Sequence, residues 1–145
     1  MTVKILKIKP DAKIPVYSSQ HAAGADLYSL LPTEVTIQPN KTVLIPTGIS
    51  MEIPTGYAGF IYARSGLATK KGLVLANQVG IIDSDYRGEI MISIYNRSGD
   101  EQTISNHERI AQIVIAPYIQ AEFVESLDLS DTERGEGGFG STGDK

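Results

Sequence analysis

Short runs rich in Val, Ile, Tyr and Thr follow one another along most of the chain, separated by turn residues: VKILKIK, ADLYS, EVTIQ, TVLIPTGISMEI, YAGFIYA, GLVLA, EIMISIYN, QTIS, RIAQIVIAPYI and EFV. Many short strands at this spacing predict an all-β sandwich or barrel. One short helix is expected in RSGLATKKG, Arg64 to Gly72, where Ser65 can cap the first turn and Gly72 can end it. From Ser126 the character changes. SLDLSDTERGEGGFGSTGDK is polar and glycine-rich with almost nothing to bury, so a folded domain is expected over residues 1–125 and a flexible C-terminal segment over 126–145.

At 145 residues with 41% hydrophobic content the chain suits one domain with a real core. The absence of cysteine excludes disulfides and thiolate metal sites, and with only His21 and His107 a zinc site would lack ligands. The N-terminal MTVKILKIKP alternates apolar residues with lysine as a strand does and lacks the unbroken apolar core of a signal peptide. No stretch is long enough to span a bilayer, so no membrane partner is expected and a cytoplasmic chain fits. The glycosylation look-alikes at Asn40 and Asn96 are then expected to be idle. A net charge of −4 opposes binding along a nucleic-acid backbone, which needs many cations, but leaves room for one small phosphorylated ligand.

The stretch LVLANQVGIIDSDYRGEIMISIYN, Leu73 to Asn96, reads as two apolar strands around a charged hinge. Asp85-Tyr86-Arg87-Gly88 has the Asp and Gly of a type I turn. Asp83 is left over, at a strand end where Val or Thr would fit better. It does not begin a calcium loop, because the fifth position would be Arg87 and the twelfth Ile94 in place of Glu. GEGGFG, Gly135 to Gly140, matches a dinucleotide-binding pattern in letters only, since no strand feeds it and no helix follows.

AGADLYS from Ala23, ARSGLATKKG from Ala63, NQVGIIDSDYRGEI from Asn77, RIAQIVIAPY from Arg109 and RGEGGFGSTG from Arg134 stand in the order of the five motifs of the trimeric deoxyuridine triphosphatases. The chain resembles that family over Ala23 to Gly143. Two positions depart from its pattern: Ala63 stands where Pro is usual, and His107 where Gly is frequent. Both shape backbone.

The resemblance implies a jelly-roll-like distorted β-barrel, homotrimeric with active sites shared between subunits. It implies hydrolysis of dUTP to dUMP and pyrophosphate, with Mg2+ on the triphosphate, which limits uracil in DNA and supplies dUMP for thymidylate synthesis. Asp83 is then the general base for the water attacking the α-phosphorus, kept partly dry by Ile81 and Ile82. Uracil would be read by the backbone of the Asn77-to-Met91 hairpin, including Gly80, Ile81, Ile82 and Met91, together with the Asn77 amide. Tyr86 would lie against the deoxyribose and collide with a ribose 2′-hydroxyl. Arg64, Ser65, Gly66 and Gln112 would hold phosphates, and Asp26 would order magnesium-bound waters without touching the metal. Arg109 is expected to pair with a carboxylate beneath the site. In the tail, Phe139 would stack on uracil, Arg134 would reach the phosphates, and Ser141 with Gly140 would wrap them, closing the site to water. A dCTP deaminase of the same fold would need a glutamate as proton carrier, for which Glu89 is the nearby candidate, expected to start a strand and face solvent. A non-catalytic signalling relative is opposed by the intact Asp83 and fifth motif.

Overall fold

A computed structural model describes residues 1–138, so Phe139, Gly140 and Ser141 lie outside the described residues. In chain order the elements are β1 (Lys4–Lys7), β2 (Val16–Tyr17), β3 (Ala25–Tyr28), β4 (Val35–Ile37), β5 (Thr42–Pro46), β6 (Ile49–Glu52), β7 (Tyr57–Ala63), α1 (Ser65–Lys70), β8 (Leu73–Leu75), β9 (Val79–Ile82), β10 (Met91–Asn96), β11 (Gln102–Ile104) and β12 (Arg109–Pro117). Every pairing is antiparallel. A five-stranded sheet in the order β2-β3-β12-β7-β9 faces a three-stranded one, β5-β10-β8, with β1-β6 and β11-β4 as separate pairs. This is the expected all-β architecture, a jelly-roll-like barrel that does not close.

β10 shows why these runs are strands. In MISIYN the residues Ile92, Ile94 and Asn96 are buried while Met91, Ser93 and Tyr95 are not, a period of two that only a pleated strand satisfies. Ile92 and Ile94 join Leu27, Ile37, Ile45, Ile49, Leu73, Ile90 and Ile104 in one core. Asn96 continues the inward face and is fully buried, with its Nδ2 donating to the carbonyls of Ile37 and Asp100, both at 2.8 Å. A buried amide so engaged cannot accept a glycan, which agrees with an idle Asn96 look-alike.

Several local expectations are corrected. β9 pairs with β7, and β10 with β5 and β8, so Asn77 to Met91 is a crossing between two sheets and not a hairpin. The turn is not at Asp85–Gly88: the Tyr86 N–H bonds to the Asp83 carbonyl at 3.2 Å, placing Asp83 at the first turn position. Ser65 is the first helical residue and caps nothing; the N-cap is Arg64, in extended conformation and without a side-chain cap bond. Gly72 does end the helix region, at φ +65. EFV forms no strand. Beyond Pro117 the described chain has neither strand nor helix, and Phe123 stands 96% exposed with no strand edge beside it.

His107 has φ 59, the left-handed region that the glycine frequent at this position adopts freely. Its ring Nε2 lies 2.9 Å from the Asp11 carbonyl, a tie to the N-terminal segment that offsets the conformational cost. His107→Ala keeps the strained φ and loses the tie, whereas His107→Gly loses the tie but removes the strain. The glycine variant should therefore be more stable than the alanine variant by about 1 kcal/mol in urea unfolding. Equal stability of the two would mean that the backbone there is not held left-handed.

Candidate active site

β9 and the segment after it build a cleft. A tight turn at Asn77–Val79, with Gln78 at φ 62, starts β9. Gly80 then lies over Ile61 of β7, where a Cβ would be 3.3 Å from the Ile61 Cβ, so the bare glycine keeps this wall low. The resulting cleft of about 260 Å³ is lined by Asn77, Gly80, Ile81, Ile82, Asp83, Tyr86 and Met91, with Ile61 and Glu89 completing it. Apart from Phe139, which lies outside the described residues, the residues assigned above to the base, the sugar and proton abstraction therefore share one concavity. Ile61 was not anticipated, and Glu89, expected to face solvent, instead helps line the cleft. The sequence could not offer Ile61, because its contact with Gly80 depends on a β7–β9 pairing that reaches across α1 and β8.

Asp83 is exposed, on the lip between this cleft and a wider one of about 620 Å³ bounded by Ala58, Phe60, Ser84, Asp85 and Tyr118 among others. The dry surroundings expected from its isoleucine neighbours are not supplied by the chain alone, since strand alternation turns Ile81 outward, 62% exposed. Tyr86 is fixed at its far end: its hydroxyl donates to the Glu89 carbonyl at 3.0 Å, and a Cβ at Gly88 would overlap that hydroxyl.

A second polar group is built on β3, β7 and β12. The Asp26 carboxylate, 11% exposed, receives Arg64 Nε on Oδ1 at 2.7 Å and Arg109 on Oδ2 at 3.2 Å. Arg109 is the expected structural partner, and Arg64 shares the task. Gln112 pairs across with Asp26 and donates its amide to the Ala63 carbonyl at 3.1 Å. That backbone bond uses part of the amide which the sequence had assigned to phosphate, and Gly24 must lack a side chain for Gln112 to fit. Ser65 and Gly66 lie exposed in the first turn of α1, where N–H groups have no partner inside the helix. Arg134 donates to its neighbour Gly137 at 2.7 Å, within the tail. Glu89 does not start a strand; its carboxylate accepts the Gly48 N–H at 2.7 Å, a structural tie that leaves it poorly placed to carry protons.

The register fixes how far apart the two groups are. Ile82 pairs with Gly59, so Asp83 falls beside Ala58 near the start of β7, whereas Arg64 follows Ala63 at its end. From Ala58 to Arg64 the strand advances roughly 20 Å, at about 3.3 Å per residue. One chain thus carries a nucleoside-sized cleft with a carboxylate on its lip and, at the opposite end of the same sheet, a cluster of cations and exposed helix N–H groups. Close to the second group the same face of the sheet carries exposed apolar residues: Val16 is 53% exposed, Tyr62 40% and Val79 39%, in one row with Asp26 and Gln112. Among the described residues no three His, Cys, Asp or Glu side chains converge as a metal cage, and no helix is long and apolar enough to cross a membrane.

A family model described as dUTPase matches residues 10–143. The deoxyuridine 5′-triphosphate nucleotidohydrolase of Nautilia profundicola is 52% identical over 143 residues, covering 99% of this chain and 99% of that protein. The enzyme of the same description from Burkholderia ambifaria is 46% identical over 144 residues, covering 99% and 97%. Among solved structures, a Staphylococcus bacteriophage 80alpha dUTPase variant with dUpNHpp has a TM-score of 0.88 at 29% identity, covering 98% of each chain. A dUTPase variant from phage phi11 of S. aureus, in which a structural Mg(II) ion is coordinated, has a TM-score of 0.78 at 25% identity, covering 88% of this chain and 98% of that one.

Proposed function

The chain belongs to the dUTPase family and hydrolyses dUTP to dUMP; we propose that it does so at a site completed only between copies of itself, with Asp83 as general base. The observation that carries this reading is the separation of the Asp83 cleft from the Asp26–Arg64–Arg109 cluster along β7. A triphosphate on a nucleoside seated in one cannot reach the other on the same chain, but can reach a neighbour's.

Asp83 accepts a proton from a water as that water forms its bond to the α-phosphorus. The bond from phosphorus to the bridging oxygen breaks, and pyrophosphate leaves. Asn77 and the backbone of Gly80, Ile81 and Ile82, with Met91, present the polar edge and apolar walls that select uracil; donors left unpaired by the wrong base give strong rejection. Arg64, Ser65, Gly66 and Gln112 of an adjoining chain hold the phosphates. The Arg64 guanidinium keeps donors beyond its Nε contact with Asp26 and so can serve both.

Magnesium is proposed as the cofactor, neutralising phosphate charge. The donor set suits an outer role. Both Asp26 oxygens are engaged by arginines, yet each keeps lone pairs that can accept from a metal-bound water.

A homotrimer is proposed on two supports: the uncovered face carrying Val16, Tyr62 and Val79, and an apolar arm after β12. Ile119 is 94% exposed, Phe123 96% and Val124 78%, a large apolar surface for a chain to leave in water. Residues 1–125 are proposed as the folded domain and 126–145 as a lid, with Arg134, Phe139, Gly140 and Ser141 closing over nucleotide. A cysteine-free chain suits the cytoplasm, where we place it.

A nucleotide panel tests the site. The parent enzyme should turn over dUTP far better than UTP, dCTP or dTTP, and Tyr86→Ala should raise UTP hydrolysis relative to dUTP by at least about tenfold, because the ring no longer meets the 2′-hydroxyl. Unchanged sugar discrimination in that variant would remove Tyr86 from the sugar.

A further inference from the structure

Glu89 lies half-buried between the Asp83 turn and β10. Its Oε1 accepts the N–H of Gly48, in the turn joining β5 to β6, at 2.7 Å. Beside that bond the Thr47 hydroxyl donates to the Ile90 carbonyl at 2.6 Å and the Ile90 N–H to the Ile49 carbonyl at 2.9 Å. The donor sits in a closely packed turn: Gly48 has φ +71, and a Cβ on it would overlap Leu30 and Ala12. Glu89 is thus anchored through its side chain to a closely packed, hydrogen-bonded turn, and its own carbonyl receives the Tyr86 hydroxyl at 3.0 Å. Gly88 lets the ring reach that carbonyl, since any side chain there would strike the hydroxyl.

We infer that Glu89 is a positioning residue for sugar selectivity: through Gly48 it holds the carbonyl that fixes the Tyr86 ring across the cleft mouth. Tyr86 is 43% exposed, so the hydroxyl bond is a substantial part of what orients its ring. A ring tethered at its hydroxyl presents a fixed wall to the 2′ carbon, whereas a ring free to swing makes room for a ribose. The inference rests on Tyr86 meeting the sugar, and adds that its orientation, not its presence alone, discriminates.

The test is the ratio of kcat/KM for UTP to that for dUTP. In Glu89→Ala and in Tyr86→Phe the ratio should rise about tenfold, at the low end of what one steric contact contributes to discrimination. Glu89→Gln keeps an Oε1 acceptor for Gly48 and should restore the parent ratio. The double variant Glu89→Ala, Tyr86→Phe should be no more relaxed than either single one, since both cut the same chain of contacts. A parent ratio in Glu89→Ala, or equal losses for dUTP and UTP together with a lowered melting temperature, would make Glu89 a structural residue only. Tyr86→Phe alters one exposed hydroxyl and decides the matter should Glu89→Ala not fold: a parent ratio there overturns the tether. If Tyr86→Ala itself leaves discrimination intact, the sugar role of Tyr86 fails; if Tyr86→Ala relaxes it while Glu89→Ala does not, only the role of Glu89 fails.

Discussion

Asp83→Asn should lower dUTP turnover by about a hundred- to ten-thousand-fold while leaving the fold and nucleotide binding intact. The change keeps the shape and polarity of the side chain and removes its basicity. Nothing structural depends on the carboxylate: Asp83 is exposed, and among the described residues its side chain makes no hydrogen bond. Its part in the turn is played by its carbonyl, which accepts the Tyr86 N–H and is the same in asparagine. Unfolding in urea and calorimetric binding of a nonhydrolysable dUTP analogue should therefore match the parent, with the whole effect in kcat. A variant that turned over dUTP at the parent rate would require a different base.

The strands were legible because each is a period-two pattern in its own few residues: the alternation in MISIYN is the same on paper and in the sheet. Their partners were not legible. Leu73 to Asn96 looks like a hairpin because its two apolar runs are adjacent in sequence, yet β9 closes the five-stranded sheet on β7 while β10 enters the other sheet between β5 and β8. Alternation tells which face a residue takes and is silent about the strand it meets. Ile61 was hidden for that reason, and so was the tie from Glu89 to Gly48, a contact between residues far apart in sequence.

Turn chemistry misled for a different reason. Gly88 looked like the end of a type I turn, but what requires glycine there is the Tyr86 hydroxyl passing over it. Ser65 looked like a cap by residue type, whereas the extended backbone of Arg64 sets where the helix begins. The proposed site residues are singled out only by the five motifs. An aspartate at a strand end, or Arg-Ser-Gly before a helix, carries no distinctive signal alone, and the motifs do not say that their parts sit at opposite ends of one sheet.

That division is tested most directly by mixing two disabled chains. Arg64→Ala should lose most activity, since it removes both the proposed phosphate contact and the Oδ1 partner of Asp26; Asp83→Asn loses the proposed base. If Asp83 and Arg64 act in one site from different chains, then unfolding the two variants together and refolding them at equal amounts creates interfaces where an intact Asp83 faces an intact Arg64. Chains drawn independently into closed symmetric oligomers would give about a quarter of the sites both intact groups, so roughly a quarter of the parent turnover should return. Each variant refolded alone should stay inactive. A mixture no more active than its components, although both refold and associate, would contradict a site shared between chains and place Asp83 and Arg64 in service of the same subunit.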